Sequence, residues 1–411
     1  TDDGGAEAQR EVPRLGPGAR RVGVPGVTLA FDFAAPTRVV FGAGRAAECA
    51  GIAATIGGRA LVMRGGGDRA STLVQQLRDA GVFVATQSLT GEPTVALVER
   101  VAAVARQDRI DVVIAVGGGS VIDAGKAVAA LATNPGAARD YLEVVGHGRS
   151  LAQDPLPVIA IPTTAGTGAE VTRNAVLMAE EERVKVSLRS PRMLPVVAIL
   201  DPALTLTLPP AATASTGLDA LTQCIEPFVT PFATPVTDAV AREGMLRASR
   251  ALPRAVHDGS DLDARADMLV AALMSGIALA NAKLGAVHGF AAPLGGMFPV
   301  PHGVACARLL PEATRVNVRA LRARAPESPA LARYTEVARV LTGNPAARAE
   351  DAAPWLAALV EQLGVPRLAS FGVHAGDFPR VVAAARSASS MKGNPIVLDD
   401  AELAEVLGGA V

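Results

Sequence analysis

The sequence predicts an α/β region followed by an all-α region, and three observations indicate this fold class. Up to about residue 200, short β-branched apolar runs alternate with stretches of helical spacing. Alternating strands and helices build a parallel, Rossmann-like sheet through right-handed crossovers. From about residue 208 the strand pattern ends and every later element has helical spacing. The predicted domains are 28–207 and 208–411, preceded by a flexible tail, 1–27, that is rich in Gly, Pro, Arg and Glu.

The composition excludes several classes of protein. At 411 residues the chain is long enough for two domains, and with 50% hydrophobic but only 3% aromatic residues its core has to consist of Ala, Val, Leu and Ile. A formal net charge of -1 gives no basic field for nucleic acid, and no apolar run has the length of a membrane span. The first residues lack an apolar signal core. Cys49, Cys224 and Cys306 show no CxxC spacing, which predicts reduced core residues of a cytoplasmic protein.

The α/β region begins with two strand candidates, 28–33 and 37–41. The elements that follow alternate regularly: helix 46–56, strand 59–65, helix 71–80, strand 82–89, helix 95–106, strand 111–119 with a helix after it, strand 156–162, a hairpin across 173–190 and a closing strand, 196–202. The predicted helices of the second region are 211–229, 235–255, 262–284, 303–316, 328–341, 349–363, 375–385 and 400–407. In an open parallel sheet of this kind, ligands bind at the carboxyl ends of the strands.

A glycine triplet lies at the carboxyl end of strand 111–119. Gly117, Gly118 and Gly119 let a phosphate approach the backbone closely, and Ser120 is predicted to cap the helix that begins there. Exposed amides and the helix dipole favour an anion at such a point. A Gly-rich turn without a ligand is the alternative interpretation, because such turns are common between strands and helices.

A second loop of small polar residues follows the next strand, in PTTAGTGAEVT. Thr163, Thr164 and Thr167 offer hydroxyl groups, while Gly166 and Gly168 let the chain pass close to a ligand. The alternative is a threonine-rich turn that caps residues 170–171, since turns favour the same residue types.

Two of the five histidines of the chain, His288 and His302, lie in an apolar stretch interrupted by Gly and Pro. Imidazole is a good ligand for borderline divalent metals. Upstream, Asp219 and Gln223 are one helical turn apart and share a face of their helix. Asp219, His288 and His302 are therefore candidates for one metal site. Packed, hydrogen-bonded histidines without a metal are the alternative.

Several stretches resemble one protein family. GAVHGFAAPLGGMFPVPHG resembles the metal-binding stretch of the iron-containing (group III) alcohol dehydrogenases, GGGSVIDAGK fits their cofactor motif GGGSxxDxxK, and PTTAGTGAEVT is similar to their second cofactor loop. The resemblance extends from about Phe31 to the C-terminus. It implies an NAD(P)-dependent alcohol dehydrogenase or aldehyde reductase, with an α/β cofactor domain, an α-helical metal domain and an active site in the cleft between them.

The same resemblance implies that Asp219, His288 and His302 form the catalytic group and hold a divalent metal, Fe²⁺ or Zn²⁺, which stabilises a developing alkoxide. The sequence departs from the family at two positions. Gln223 replaces a histidine ligand, and Ala292 replaces a histidine with a proton-relay role. Gln223 stays a candidate ligand through its neutral amide oxygen, so the metal is expected to be weakly bound or absent. Without a metal, one of the two histidines would donate to the carbonyl oxygen directly.

The resemblance also assigns residues to the cofactor. They belong to the two loops, to the hairpin and to two turns: Gly117, Gly118, Gly119, Ser120, Asp123, Thr163, Thr164, Thr167, Lys185, Leu204 and Gly65. For Asp123, a purely structural pair with Lys126 is an equally open interpretation. For Lys185, the alternative is a solvated position on the hairpin.

The choice between NAD and NADP is open at this stage. NAD-preferring relatives often carry an aspartate just after the strand that corresponds to 59–65, where it binds the ribose diol. Gly65 stands near that position here, with Arg64 and Arg69 close in sequence, and this favours NADPH. Asp68 offers an acidic group in the same turn, and this favours NADH.

Three other functions compete with an alcohol dehydrogenase. A maleylacetate-reductase-like enzyme has the same fold and reduces a carbon–carbon double bond without a metal, which suits the incomplete ligand set. A lyase of the dehydroquinate-synthase kind shares the superfold, and a non-catalytic cofactor-binding protein is the third possibility. The expected partners are a small alcohol, aldehyde or keto acid and, by resemblance, a second copy of the chain in a homodimer, with no nucleic acid and no membrane.

Overall fold

The computed structural model describes residues 31–36, 38–182 and 184–411. The predicted tail, 1–27, and residues 28–30 of the first predicted strand lie outside the described residues. Residues 31–33 of that strand form no regular element, so over its described part this prediction is wrong. A strand needs a hydrogen-bonded neighbour, and these residues have no strand partner in the part of the chain that the structure describes.

Six parallel strands form one sheet, because the helix after each apolar run returns the chain to the same edge. They are β1 (Arg38–Phe41), β2 (Arg59–Arg64), β3 (Phe83–Ser88), β4 (Val112–Gly117), β5 (Val158–Pro162) and β8 (Val197–Leu200). Their spatial order is β1-β8-β5-β4-β2-β3, which places β4 and β5 side by side in the middle. The predicted hairpin is the antiparallel pair of β6 (Asn174–Ala179) and β7 (Val184–Arg189).

Helices cover both faces of the sheet, which explains why its central strands are apolar at successive positions. Alternate side chains enter opposite layers. Leu61 of β2 and Val113 of β4 pack with α3 (Val95–Gln107) and α4 (Gly119–Thr133). Their neighbours, Val62 and Ile114, pack with α1 (Cys49–Ile56) and α2 (Ser71–Asp79) on the other face.

The start of α4 differs from the prediction. The helix begins at Gly119 and its N-cap is Gly118, whose extended backbone (φ -74°, ψ -176°) supplies the cap conformation without a side chain. Ser120 lies inside the first turn, so the predicted capping by Ser120 is wrong. Glycine can occupy an N-cap because the position needs an extended backbone more than it needs a hydroxyl.

Residues 210–411 contain helices and no strand. The helices are α5 (Pro210–Val229), α6 (Pro235–His257), α7 (Leu262–Asn281), α8 (Ala286–Met297), α9 (His302–Arg324), α10 (Pro329–Thr342), α11 (Ala352–Gln362), α12 (Phe378–Ser387) and α13 (Asp400–Ala410). The sequence pattern does not predict α8, because Gly289 and Pro293 interrupt it. Its apolar face is buried against α9 and α12, and such packing outweighs low helix propensity.

No single helix of the described residues is long and apolar enough to cross a membrane. α7 and α8 meet the length and composition requirement only as a pair, and they are bent by 97° at the break between them.

Candidate active site

Two loops leave the carboxyl ends of the adjacent strands β4 and β5. Gly117 pairs with Pro162 at the end of the ladder, and the Thr163 amide donates to the Gly117 carbonyl oxygen at 2.9 Å. The glycine loop, residues 117–119, and the threonine loop, residues 163–168, therefore start side by side. Because parallel strands end at one edge, two motifs about 45 residues apart in sequence meet there.

The two loops pack so closely that side chains in the glycine loop have no room. A Cβ on Gly119 would lie 2.6 Å from Thr167 Oγ1, and a Cβ on Gly118 would lie 3.4 Å from Thr164 Cγ2. Thr167 Oγ1 also accepts from the Ala169 amide at 3.3 Å, which is the turn-capping role that sequence alone leaves open. Thr167 therefore both caps the turn that follows it and lies beside the glycine loop.

Gly65 and Leu204 lie at the carboxyl ends of two further strands. The Gly65 amide donates to the Val116 carbonyl oxygen at 3.2 Å, so it stands beside the end of β4. Leu204 is half-buried in the turn Pro202–Thr205 and packs on the α1/α2 side of the sheet. The structure thus brings Gly65 next to the glycine loop and leaves Leu204 on the β8 side.

Asp123 and Lys126 form the pair that their spacing indicates, with Oδ1 and Nζ 3.0 Å apart. Lys126, only 1% exposed, also donates to the Ala169 carbonyl oxygen at 2.8 Å, and Asp123 Oδ2 accepts from the Val176 amide at 3.0 Å. Both groups therefore tie α4 to the threonine loop and to β6. The contacts of Asp123 and Lys126 within the protein therefore have a structural role.

Lys185 is neither free nor a solvated hairpin residue. Its Nζ donates to Glu92 Oε1 at 2.7 Å, and it lies against α8, since a Cβ on Gly295 would be 3.4 Å from Nζ. The side chain is 10% exposed. Lys185 thus connects the hairpin to the helix that carries His288.

Helix α5 contacts both the threonine loop and the start of α9. A Cβ on Gly166 would lie 2.8 Å from Thr216 Cβ, and a Cβ on Gly303 would lie 2.5 Å from the Ser215 carbonyl oxygen. Asp219 follows one turn later on α5, and Gly303 directly follows His302. A single turn of α5 therefore lies between the candidate cofactor loop and the candidate metal ligands.

The side chains of Asp219, His288, His302 and Cys306 form a compact group. Their ligand atoms all lie within 4.8 Å of one another. Asp219 Oδ1 is 3.4 Å from His288 Nε2 and 3.6 Å from His302 Nε2, and the two imidazole centroids are 5.4 Å apart. We call these four residues the metal cluster. The structure thus brings together the three ligands that the sequence indicates and adds a thiol.

Glu226 fixes the orientation of His288. Its Oε2 lies 2.6 Å from His288 Nδ1, and its Oε1 accepts from the Val287 amide at 2.7 Å, in the first turn of α8. A carboxylate on Nδ1 selects the tautomer in which Nδ1 carries the proton, so the lone pair of Nε2 faces the cluster. Glu226 therefore holds the imidazole as outer carboxylates hold histidine ligands in metal sites.

The cluster favours positive charge. Burial lowers the pKa of the His288 imidazole, but contacts with Cys306 and Asp219 outweigh burial, and its pKa lies well above the usual value. Cys306 and Asp219 also raise the pKa of His302. Burial raises the pKa of Asp219, but the two imidazoles outweigh it, and its pKa lies below the usual value.

The donors fit a divalent metal. Asp219 Oδ1 and Gln223 Oε1 are buried and have no hydrogen-bond partner among the described residues. A buried polar oxygen without a partner is costly, and a cation would satisfy it. Carboxylate, imidazole and thiolate are ligand types that zinc and iron accept.

Sequence reasoning missed Cys306 and Glu226. Cys306 lies four residues after His302 on α9, and Glu226 lies three residues after Gln223 on α5. Both spacings place the residue on the face of its helix that already carries a candidate ligand. The signal that places Gln223 beside Asp219 was thus also present for Cys306 and Glu226.

The fold and the cluster define a class of two-domain enzymes, in which a nucleotide-type sheet presents its loops to a metal-binding helical domain. The model of iron-containing alcohol dehydrogenases matches residues 36–202, and that of the C-terminal part of Fe-containing alcohol dehydrogenases matches residues 213–411. The chain belongs to the iron-containing alcohol dehydrogenase family. It is an oxidoreductase that acts on CH–OH groups, and the family implies NAD(P) and a metal.

Relatives resemble the chain over nearly its whole length. A 1,3-propanediol dehydrogenase of Klebsiella pneumoniae is 36% identical over 391 residues, which are 92% of this chain and 97% of the relative. The crystal structure of a 1,3-propanediol oxidoreductase has a TM-score of 0.85 and 34% identity, covering 93% of this chain and all of the other. The sulfoacetaldehyde reductase of Bifidobacterium kashiwanohense, solved with NAD⁺, has a TM-score of 0.81 and 30% identity over 93% and 99% of the two chains.

Proposed function

We propose that this chain transfers hydride between NAD(P)H and the carbonyl carbon of small aldehydes, with the assistance of a divalent metal. The turn of α5 from Ser215 to Asp219 is the observation that carries the proposal. It contacts the threonine loop on one side and supplies a cluster residue on the other. A nicotinamide ring beside the threonine loop and a carbonyl oxygen at the cluster would therefore be close neighbours.

We propose a short, unbranched substrate, because three relatives that match more than 90% of the chain are named for short ones. The names of two of them specify 1,3-propanediol, and that of another specifies sulfoacetaldehyde. We propose that short alcohols and the matching aldehydes, together with short keto acids, form the panel within which the substrate lies. Arylaldehydes are expected to react more slowly, because the chain has few aromatic residues to stack on them.

In the proposed mechanism, the glycine and threonine loops hold the phosphates and the nicotinamide ribose of the cofactor. Asp219, His288 and His302 would hold the metal, which would supply Lewis-acid polarisation of the substrate carbonyl. Glu226 keeps Nε2 of His288 directed at the cluster. Ala292 is exposed one turn after His288, and its methyl side chain cannot donate a proton. The proton of the alcohol product therefore has to arrive through water or through a cofactor hydroxyl.

We propose that the adenosine end accepts NADPH as well as NADH. Asp68 accepts from the Ser71 hydroxyl, so its carboxylate already has a local partner at the start of α2. Arg64 donates one hydrogen bond to Ser88 and Arg69 donates two to Thr207, so within the described residues both keep guanidinium hydrogens for a further acceptor. A 2′-phosphate would thus meet two guanidinium groups and a single carboxylate, one oxygen of which is hydrogen-bonded to Ser71.

Substitution of Gly65 tests the cofactor choice. A Cβ at Gly65 would meet only Val121, at 3.8 Å, so the first side-chain carbon of Gly65→Asp fits without a clash. We expect kcat/KM for NADPH to fall about 10-fold relative to NADH, since a like charge beside the 2′-phosphate is repelled. Gly66→Asp is the matched control, because a Cβ there meets nothing within 4 Å. Equal effects of both variants would remove Gly65 from the cofactor site.

The deciding experiment measures the metal content of purified protein together with NADH and NADPH oxidation on the panel, with and without chelator. Bound metal and chelator-sensitive turnover support the proposal. Turnover without metal would instead support a maleylacetate-reductase-like enzyme. The sequence favours this alternative at one position, because Gln223 stands where the family has a histidine ligand. Metal without any turnover would contradict both functions.

Homodimerisation and a cytoplasmic location remain predictions, to be tested by solution mass and by localisation of the tagged protein.

A further inference from the structure

The thiol of Cys306 lies beside the three candidate metal ligands Asp219, His288 and His302. Its Sγ is 3.6 Å from His302 Nε2 and 3.8 Å from His288 Nε2. Cys306 is fully buried, and it follows His302 by one turn of α9, so both side chains project toward the same point. The apolar neighbours that normally surround a core cysteine are thus replaced on one side by two imidazoles and a carboxylate.

The other two cysteines show that this placement is specific. Cys49 lies in α1, in the core layer between α1, α2 and the sheet, and burial raises its pKa to about 12. Cys224 directly follows Gln223, but its Sγ faces α6, where a Cβ on Gly244 would collide with it. Burial raises the pKa of Cys224 strongly as well. Only Cys306 brings sulfur to a group of candidate ligands within the described residues.

A buried carboxylate provides a second, independent sign of a ligand. Asp219 is 2% exposed, and its Oδ1 faces the cluster with no hydrogen-bond partner among the described residues. The amide oxygen of Gln223 has no partner there either. A neutral amide oxygen is a weaker ligand than an imidazole for zinc or iron, whereas a thiolate is a stronger one for soft and borderline ions.

We propose that Cys306 is the fourth protein ligand of the bound metal and replaces the ligand that Gln223 does not supply. The inference rests on the proposed metal-assisted function. The donor set is then one carboxylate, two imidazoles and one thiolate. With two anionic ligands, the set neutralises the charge of a divalent ion, and its sulfur favours Zn²⁺ over Fe²⁺. Zinc–sulfur bonds are about 2.3 Å long, so the side chains have to close in by small rotations when the ion binds.

Cobalt(II) is the probe for this ligand, because a thiolate bound to cobalt gives an intense charge-transfer absorption that oxygen and nitrogen ligands do not give. We expect one cobalt per chain with this absorption in the metal-free protein after reloading. The double variant Cys49→Ala/Cys224→Ala leaves Cys306 as the sole cysteine and keeps the cluster unaltered, so the absorption should persist. Cys306→Ser should abolish it and weaken metal binding by more than about 100-fold, since loss of even an outer partner of a ligand costs about 10–100-fold.

Two further variants separate Cys306 from Gln223. Gln223→Ala should keep the charge-transfer absorption, whereas Gln223→His in the Cys306→Ser background should restore metal affinity without the absorption. Zinc should outcompete Fe²⁺ in the unsubstituted protein by a wider margin than in Cys306→Ser, where only carboxylate and imidazole ligands remain. Far-ultraviolet circular dichroism checks that each variant is folded.

The outcomes distinguish this inference from the proposed function. Cobalt bound at the cluster without charge-transfer absorption, in the unsubstituted protein and in the double variant, overturns the thiolate ligand and leaves metal assistance intact. If the protein binds neither cobalt nor zinc and still reduces aldehydes, both the thiolate ligand and the metal-assisted function are overturned. If the Cys49→Ala/Cys224→Ala variant still binds metal but loses the absorption, then the thiolate ligand is Cys49 or Cys224, and the assignment to Cys306 is wrong.

Discussion

The two halves of the site differ in how they hold their ligands. On the α/β side, the glycine and threonine loops act through backbone and small hydroxyls, and their contacts are so tight that Cβ atoms on Gly119 and Gly166 would lie within 2.8 Å of a neighbour. On the helical side, the candidate metal ligands are side chains on three different helices, α5, α8 and α9. The glycine loop fits the motif GGGSxxDxxK at every defined position, whereas Gln223 and Ala292 stand where the resemblance implies histidines.

The difference follows from geometry. A loop that binds through its backbone depends on the absence of side chains, and no substitution elsewhere can replace that absence. A ligand atom on a side chain can come from any helix that faces the same point. Cys306 of α9 can therefore compensate for the imidazole that is missing at position 223. We therefore expect the metal side to tolerate a change of donor residues that the cofactor side does not tolerate.

The largest expected effect comes from Asp219→Asn, which removes the only carboxylate of the cluster. We expect loss of bound metal and a fall in kcat/KM of at least about 100-fold, the size of effect seen for loss of one preorganised electrostatic group. Metal analysis and steady-state kinetics measure it. Cys224→Ala is the control on the same helix and should retain metal, because its Sγ faces α6 and not the cluster. If Gln223→Ala loses as much metal as Asp219→Asn, then Gln223 is a ligand and the compensation by Cys306 is excluded.

Glu170, on the α/β side, should make stability depend on pH. Burial raises its pKa from 4.5 to about 7, and its Oε1 has no partner among the described residues. Between these values the folded chain holds the proton that the unfolded chain has released, so the free energy of unfolding falls as pH rises. The full shift corresponds to on the order of 3 kcal/mol.

Urea denaturation between pH 5 and 8 measures this slope for the native chain and for Glu170→Gln. The variant keeps the shape of the side chain but cannot ionise, so its stability should fall less steeply with pH than that of the native chain and exceed it at pH 8, while the slope due to His288 and His302 stays in both proteins. Parallel curves for the two proteins would show that Glu170 remains ionised in the folded state.

The order of strands and helices could be read from the sequence, because each apolar run has one period and a clear turn at its end. Helix α8 could not, since Gly289 and Pro293 lower its propensity and only burial against α9 and α12 stabilises it. Of the cluster, the residues with distinctive chemistry, Asp219, His288 and His302, could be anticipated.

Cys306 and Glu226 were harder to recognise, because a cysteine or a glutamate in a helix is ordinary until its neighbours are known. The pairing of Lys185 with Glu92 joins positions 93 residues apart. No local pattern predicts such a pair, because it results from the packing of the hairpin on the end of the sheet.

Glu226→Gln tests the orientation of His288, on the metal side. The substitution keeps one oxygen for the Val287 amide but removes the carboxylate from His288 Nδ1 or turns an amide hydrogen toward it. We expect a 10- to 100-fold loss of metal affinity, with kcat falling more than KM for the cofactor rises. Glu170→Gln, which changes the buried glutamate of the other half, should leave metal affinity unchanged. Equal losses in both variants would indicate general destabilisation instead of a positioning role.

Gly119→Ala has the smallest expected effect and acts on the cofactor side alone. The added methyl group would lie 2.6 Å from Thr167 Oγ1, so the threonine loop has to shift by a few tenths of an ångström or more. We expect KM for the cofactor to rise about 10-fold, the equivalent of about 1.4 kcal/mol of lost binding, while metal content stays at the native level. Gly66→Ala provides the matched control, since its methyl group meets nothing within 4 Å. A Gly119→Ala protein with native cofactor KM would show that the threonine loop yields easily, and the contrast between a rigid cofactor side and an adaptable metal side would then have to be abandoned.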